Sequence, residues 1–568
     1  MEQPCERMRM PGHWFDELAS GGGSPEAVGF LVSAERNRRL ILLAEVLDRV
    51  EEHSGALAGP DSVAAAWQLI SEAARHRPPA VEELLCSPQT GSWAAHLLRR
   101  LHGSAGGPPL WVDVGHLHAV CLAACALAGL DADVTVPVRD GAVVLPTLGL
   151  ARLEKPGSGI EYDTATARLR GAELTLAQTT GRAVTVTPLS ERETADWFPL
   201  RRLGPTTWLD DVDPYRDLAE PVPPERLEDA EVEVWRQLFK EAATIPRPGP
   251  SGPGRLRGTD IRRIVPWAGT SGEPRSGVVS ATTGDAFGSM VVSRPATGLA
   301  LAEAMVHEFQ HSKLSALLHL FPLLDDDRAE IHYAPWRPDP RHLTGLLHGA
   351  YAFVGVAGFW RDRMAEPSVA DRDVAAFQFA LLRVQTGRVV RTLRASDRLT
   401  PTGRRLVDGL AGTLRGWRRE PVPPTIAARA AAAAISHAVE WRLRNQTRLA
   451  TEPAGSGTPP VDRPVSPDVW ADDRLRLYRE PPTRPVTPDE LLAAGLPSAA
   501  EHGYAATLRA TPDDPHALAG WLLATATLHP HRRRLLRRPE RLSAALASTG
   551  TTPGTPAMAT LADRLCAA

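Results

Sequence analysis

The chain has 568 residues, a formal net charge of −3, 43% hydrophobic residues and 23% charged residues. At about 100–200 residues per domain, that length predicts several domains with ample core, and the composition excludes a long disordered chain. The near-neutral balance argues against a broad nucleic-acid-binding surface, and the longest apolar stretches, 119–130 and 349–360, look too short to span a bilayer.

Residues 1–130 read as helical. Apolar residues at 40, 41, 43, 46, 47 and 50 follow a helical period over Ala34–His53. Ser62–His76, Pro79–Cys86 and Trp111–Leu130 read the same way, the last as a mostly buried helix. The period changes to two at Val134, Val136 and Val138. Short runs at 143–145, 148–150, 167–169, 173–176 and 183–188 follow, separated by Gly, Asp and Pro. Residues 131–207 therefore predict a small β region with an antiparallel sheet. Residues 208–298 predict a charged helix, Pro224–Ala243, then a breaker run, then strands at Ile261–Trp267, Gly277–Ala281 and Ser289–Ser293. From 299 to 448 the pattern is helical again and ends on the Ala-rich helix Thr425–Gln446. Residues 449–484 read as a Pro/Gly-rich linker. Residues 485–568 read as a helical tail, in which Tyr504–His529 looks like a single helical-repeat hairpin, too little for a solenoid. The expected class is α+β, predominantly α-helical, with a helical metal-binding core and small antiparallel β elements.

Five cysteines, at 5, 86, 121, 125 and 566, form no visible disulfide framework and read as free core thiols. The N-terminal stretch has no apolar signal segment, so a reducing cytoplasm is expected. Lysine occurs only at 155, 240 and 313. Arg is thus the default cation of this chain, which weakens any argument built on an Arg alone.

The segment AEAMVHEFQHSKL contains His307, Glu308 and His311, an HExxH pattern within a stretch free of Pro. Positions i and i+4 share a helix face, so the two imidazoles can hold one metal ion while Glu308 reaches a metal-bound water. The Gly and His that a metzincin needs downstream are replaced by Leu314 and Leu317. Glu330 has the spacing of a gluzincin third ligand, but the prolines at 335, 338 and 340 stop a helix there. His348, in TGLLHGAYAFVGVAGFW, is the other candidate. It would complete a three-His facial site suited to Zn(II) or Fe(II), with Tyr351 one turn on as a hydrogen-bond donor. Between them the proline-stiffened loop YAPWRPDPR offers Arg337 and Arg341, side chains that can grip a carboxylate or pair with the acidic run 325–327.

The stretch from Asp285 to Arg361, with AEAMVHEFQHSKLSALLHL, YAPWRPDPR and GLLHGAYAF, resembles the HEXXH-motif domain proteins of actinobacterial ribosomal-peptide gene clusters. The start GHWFDELASGGGSPEAV is also similar, and the likeness covers roughly residues 10–450. The family includes iron- and 2-oxoglutarate-dependent peptide β-hydroxylases. The resemblance implies Fe(II) on His307, His311 and His348, and the distal carboxylate of 2-oxoglutarate on Arg337, with Arg341 as second choice. It also implies Glu308 as an orienting group and a ribosomal precursor peptide as substrate. A radical SAM maturase is the implied partner; none is fused here, since no CxxxCxxC motif occurs. The same His–Glu–His set fits a zinc metallopeptidase that removes a leader, with Glu330 as ligand, or a non-catalytic peptide-binding protein. No nucleic acid and no membrane are expected as partners.

Overall fold

In the computed structural model, the described residues are 9–52, 62–154, 161–218, 220–245, 251–267, 279–325, 328, 330–366, 371–451 and 473–567. The chain divides into two compact units. One comprises Met1–Met10, Pro25–Pro246 and Leu256–Leu320; the other comprises Pro11–Ser24, Arg247–Arg255 and Phe321–Ala568. The fold is mostly helical α+β, as the sequence predicts.

Helix α1 (Gly12–Ala19) belongs to the second unit. The first unit begins with α2 (Pro25–Glu52), α3 (Val63–His76), α4 (Pro78–Leu85), α5 (Pro88–Leu101) and α6 (Leu110–Ala128). Ser62 and Ser87 cap α3 and α5, their hydroxyls accepting from the Ala65 and Thr90 amides. Helix α5 falls within the stretch read as helical but was not singled out there, because its buried face is built from Gln89, Thr90, Ser92 and His96 as well as apolar residues. Helix α6 is apolar on every side and stops at Gly129, whose φ of 72° closes the helix.

Strands β1 (Ala132–Arg139), β2 (Ala142–Leu145), β3 (Gly149–Arg152), β4 (Tyr162–Arg170), β5 (Glu173–Gln178), β6 (Val184–Val186) and β7 (Trp197–Pro199) follow. They form an antiparallel sheet in the order β6-β5-β4-β1-β2-β3-β7. Asp140 and Gly141 both have positive φ and join β1 to β2 by a two-residue turn that matches the strand twist. Val134, Val136 and Val138 are buried in one cluster with Val120, Ala124 and Cys125 of α6. The alternation seen in the sequence is thus the side of the sheet that α6 covers.

A second sheet has the order β11-β12-β10-β9-β8. Its strands are β8 (Arg201–Arg202), β9 (Trp208–Leu209), β10 (Arg263–Pro266), β11 (Ser280–Ala281) and β12 (Ser289–Val292). Here β10 runs parallel to both β9 and β12, whereas only antiparallel elements were expected. The chain passes from β9 to β10 through α7 (Asp229–Thr244), the helical crossover that a parallel pair requires. β8 and β9 are too short to show a period.

Helix α8 (Gly298–Leu320) closes the first unit. It packs on α7 and α2. A Cβ at Gly298 would overlap Glu241, and His319 Nδ1 meets Glu35 Oε1 at 2.8 Å. The single core expected over 299–448 is therefore divided after residue 320. Pro322 stops the helix there, but a proline between two helices does not by itself mark a boundary between compact units.

The second unit contains α9 (Leu343–Ala365), α10 (Arg372–Ala395), α11 (Pro401–Trp417) and α12 (Pro424–Thr451). It continues with α13 (Asp473–Arg479), α14 (Pro488–Ala493), α15 (Pro497–Ala510), α16 (Pro515–Leu528), a 3-10 helix (Pro530–Arg537), α17 (Glu540–Thr549) and α18 (Pro556–Ala567). The expected linker 449–484 overlaps α12 and α13, and its residues 452–472 lie outside the described residues. The tail is no separate body. Phe377 and Ala380 of α10 and Ala430 and Val439 of α12 share one buried cluster with Tyr504, Trp521, Leu542 and Met558. Arg474 is 1% exposed and pairs with buried Glu440, and His516 lies between Glu440 (3.0 Å) and Asp489 (2.7 Å).

Burial opposes the charge on His516, but hydrogen bonds to Asp489 and Glu440 outweigh it and raise its pKa to about 9. The unfolded value is near 6.5. The stabilisation is therefore fully present below about pH 6.5 and is lost as pH rises through about 9. Thermal melts from pH 6 to 10 should show a midpoint falling over that window, and a His516→Gln variant should lack this component. A wild-type midpoint flat from pH 6.5 to 9 would contradict it.

Two helices, α6 and α9, are long and apolar enough to cross a bilayer by length and composition, which corrects the expectation from the shorter stretches; 83% and 78% of their apolar windows are buried inside the protein, as in core helices. Cys121, Cys125 and Cys566 are buried free thiols and Cys86 is half-buried; Cys5 lies outside the described residues.

Candidate metal centre

Helix α8 forms because residues 298–320 hold no Pro and one Gly at the first position, with Leu301, Met305, Phe309, Leu314 and Leu317 buried along it. The helix brings His307 and His311 onto one face. Their Nε2 atoms lie 3.1 Å apart and their rings are tilted by 75°. With metal–nitrogen bonds of about 2.1 Å, two ligands at right angles stand about 3.0 Å apart and two at a tetrahedral angle about 3.4 Å. The pair fits either geometry. Burial lowers the pKa of His307 and the charge of Glu308 opposes it, so His307 is neutral at neutral pH, the form that ligates a metal.

Glu308 is 1% exposed. Its Oε1 accepts a hydrogen bond from Ser280 Oγ on β11 at 2.6 Å, while Oε2 is buried with no hydrogen-bond partner among the described residues. A buried oxygen left this way costs about 1–3 kcal/mol. A proton on a metal-bound water or ligand would satisfy it. The two imidazoles and a buried carboxylate with one oxygen unsatisfied among the described residues form a donor set that fits Fe(II) or Zn(II).

His348, Tyr351, Arg337, Arg341 and Glu330 all belong to the second unit, whereas the pair on α8 belongs to the first. Among the described residues, no group of three or more His, Cys, Asp or Glu side chains is gathered as a metal ion requires. His348 is half-buried on α9, and burial lowers its pKa to about 4. It is a neutral imidazole at neutral pH. Tyr351 is fully buried, and its hydroxyl donates to the Leu18 carbonyl at 2.8 Å, tying α9 to the end of α1. That bond uses the one proton Tyr351 has to give, which corrects its reading as a donor into a metal site.

The loop between Glu330 and α9 is held at many points. His332 and Arg341 exchange backbone hydrogen bonds at 2.8 and 3.0 Å. Trp336 stacks on Phe353 with ring centroids 4.6 Å apart and lies against Gly349, where a Cβ would overlap the indole. Gln385 and Asn445 donate to the carbonyls of Pro335 and Pro338. Within this frame Arg337 Nε donates to Asp339 Oδ1 at 2.9 Å, and Arg341 approaches Asp339 Oδ2 at 3.3 Å. The acid that holds the arginines is thus Asp339, inside the same loop; 326 and 327 of the acidic run lie outside the described residues. Asp339 meets both guanidiniums, one through each carboxylate oxygen. Glu330 sits outside any helix, 3.0 Å from His332, so the helical geometry of a gluzincin ligand is not met.

Sequence reasoning missed Ser280 and Asp339. Ser280 lies on a two-residue strand that carries no pattern. Asp339 stands two residues from each arginine in a loop, and that proximity was the available signal. Lys313, one of three lysines, was also missed. It is buried on α8, and burial lowers its pKa to about 7 against the opposing charge of Asp260. No protein-family model matches this chain, and no curated protein matches it significantly.

Proposed function

We propose that this chain is an Fe(II)- and 2-oxoglutarate-dependent oxygenase that hydroxylates the β-carbon of a residue in a ribosomally made precursor peptide, in the cytoplasm. The observation that carries the reading is the apposed His307–His311 pair beside a buried Glu308 oxygen that has no hydrogen-bond partner among the described residues. The resemblance of residues 285–361 to peptide β-hydroxylases selects iron chemistry over zinc. Bound Fe(II) would supply the oxidative decarboxylation of 2-oxoglutarate by dioxygen and the transfer of one oxygen atom to a C–H bond.

The chain's own work is binding and positioning. His307 and His311 hold the metal, and His348 is the third ligand that the resemblance implies. Glu308, fixed by Ser280, orients a proton-bearing ligand through Oε2. Arg337 takes the distal carboxylate of 2-oxoglutarate, exchanging it for part of its contact with Asp339, and Arg341 is the second choice. A radical SAM maturase working on the same peptide is the expected partner.

The zinc peptidase reading shares His307, Glu308 and His311, with Glu308 as general base. The position of Glu330, outside a helix and paired with His332, weighs against it. Fe(II)-loaded protein prepared without oxygen should form succinate from 2-oxoglutarate once air and peptide are admitted. Absence of succinate together with zinc-dependent peptide cleavage would reverse the choice.

Arg337→Ala should weaken 2-oxoglutarate binding by about 10- to 100-fold, the worth of a charge-assisted hydrogen bond of about 1.5–3 kcal/mol. Calorimetric titration reads this directly, and unchanged affinity would move the role to Arg341. His348→Ala with full metal retention and full activity would remove His348 from the ligand set.

A further inference from the structure

The second unit contains a groove of about 1090 Å³ between α10, α12, α16 and the 3-10 helix. That is larger than a small-molecule pocket of roughly 300–1,000 Å³ needs to be. Its floor is apolar, with Val384 from α10, Ala431, Ile435 and Ala438 from α12, and Leu523 and Ala526 from α16. Val384 and Ile435 are 44% and 43% exposed, two of the few large apolar side chains left open among the described residues.

The rim is cationic. Arg388, Arg391, Arg442, Arg533 and Arg537 line it, and no Asp or Glu does. Glu540 engages Arg442 through two bonds at 2.9 and 3.2 Å, and Arg388 lies over the Tyr333 ring. Arg391, Arg533 and Arg537 have no acidic partner among the described residues. Arg534, Arg538 and Arg541 extend the charge along a neighbouring shallow cavity. In a chain of net charge −3, this is a local reversal of sign. Tyr333 and Pro335 form one wall, and they belong to the loop that carries Arg337.

We propose that this groove docks an acidic peptide segment whose apolar side chains enter the floor while its carboxylates pair with the arginine rim. Of the aromatic rings in the lining, Tyr478 is buried and half-buried Tyr333 lies under Arg388, so the apolar floor suits a peptide better than single-stranded nucleic acid, which binds by stacking on open rings. Identifying the peptide as the substrate rests on the oxygenase reading; the docking itself does not.

The test uses the full chain and a fluorescein-labelled peptide of repeating Leu-Glu-Glu-Leu, with a Leu-Lys-Lys-Leu peptide as control, read by fluorescence anisotropy. The acidic peptide should bind, more weakly as salt rises. The double variant Arg391→Glu/Arg533→Glu, at exposed positions, should weaken it about tenfold while improving binding of the basic peptide. Ile435→Ser should also weaken binding, with an unchanged melting midpoint for each variant. Failure of the acidic peptide to bind, equal binding of the basic peptide to the unaltered chain, or affinities indifferent to the variants would overturn the proposal. So would displacement by oligothymidylate or anionic phospholipid vesicles at lower concentrations than unlabelled peptide. Succinate formation measured in parallel separates the two readings: peptide binding without 2-oxoglutarate turnover removes the oxygenase and leaves the groove.

Discussion

Replacing His311 by alanine should lower Fe(II) affinity by on the order of 100-fold or more, since loss of a mere orienting partner of a metal ligand already costs about 10–100-fold. His307 and His311 face each other at 3.1 Å on one helix, so removal of either leaves one imidazole at that position. The fold should be indifferent, because His311 is half-buried and alanine is the best helix former. Metal content after iron reconstitution and desalting, with circular dichroism as the control for folding, separates metal loss from unfolding. A His311→Ala protein that is folded and retains one iron per chain would show that the pair is not the metal site.

The largest effect on stability is expected at Asp113. Its carboxylate is fully buried in the first turn of α6. It accepts from Arg139 at 2.9 Å and from Tyr215 at 2.5 Å, and it pairs with Arg100. Its backbone carbonyl accepts from the Trp93 indole at 2.7 Å. Asp113→Ala leaves two guanidiniums facing an empty low-dielectric site and should cost about 3–5 kcal/mol. A loss under about 1 kcal/mol in denaturant unfolding would show the cluster to be far better solvated than its burial indicates.

The same carboxylate adds an acid limb. Burial pushes its pKa up, but the His96 imidazole 3.6 Å away, the Tyr215 hydroxyl and the Arg139 and Arg100 guanidiniums overcome this and hold it at about 2. Its contribution is present above the unfolded value near 3.9 and is lost as pH falls through about 2. The Asp113→Ala protein should lack that part of the acid transition.

Helices α3 and α4 and strand β1 were legible from their period, α6, α8 and α9 from long Pro-free apolar stretches, and strands β2 to β6 from apolar runs between Gly, Asp and Pro. Helix α5 was not singled out, because its buried face mixes polar and apolar side chains. The parallel pairs of β10 were hidden for another reason: direction in a sheet is set by the crossover through α7, not by the four residues of the strand. At the candidate site, His307, Glu308 and His311 could be read from spacing alone. The hold of Asp339 on both arginines and of Ser280 on Glu308 depended on backbone turns that no period reports. The hydroxyl of Tyr351 was misassigned because helical spacing says which side chains share a face, not which carbonyl from α1 arrives opposite.

The proposed oxygenase would place one atom of dioxygen on a peptide. The most direct measurement is the mass of a precursor peptide after incubation with the iron-loaded protein and 2-oxoglutarate under ¹⁸O-labelled dioxygen. The expected product carries one labelled oxygen at a β-carbon, dependent on His307, His311 and 2-oxoglutarate, with succinate formed in step. A shortened peptide carrying no label, produced with zinc and without 2-oxoglutarate, would contradict it.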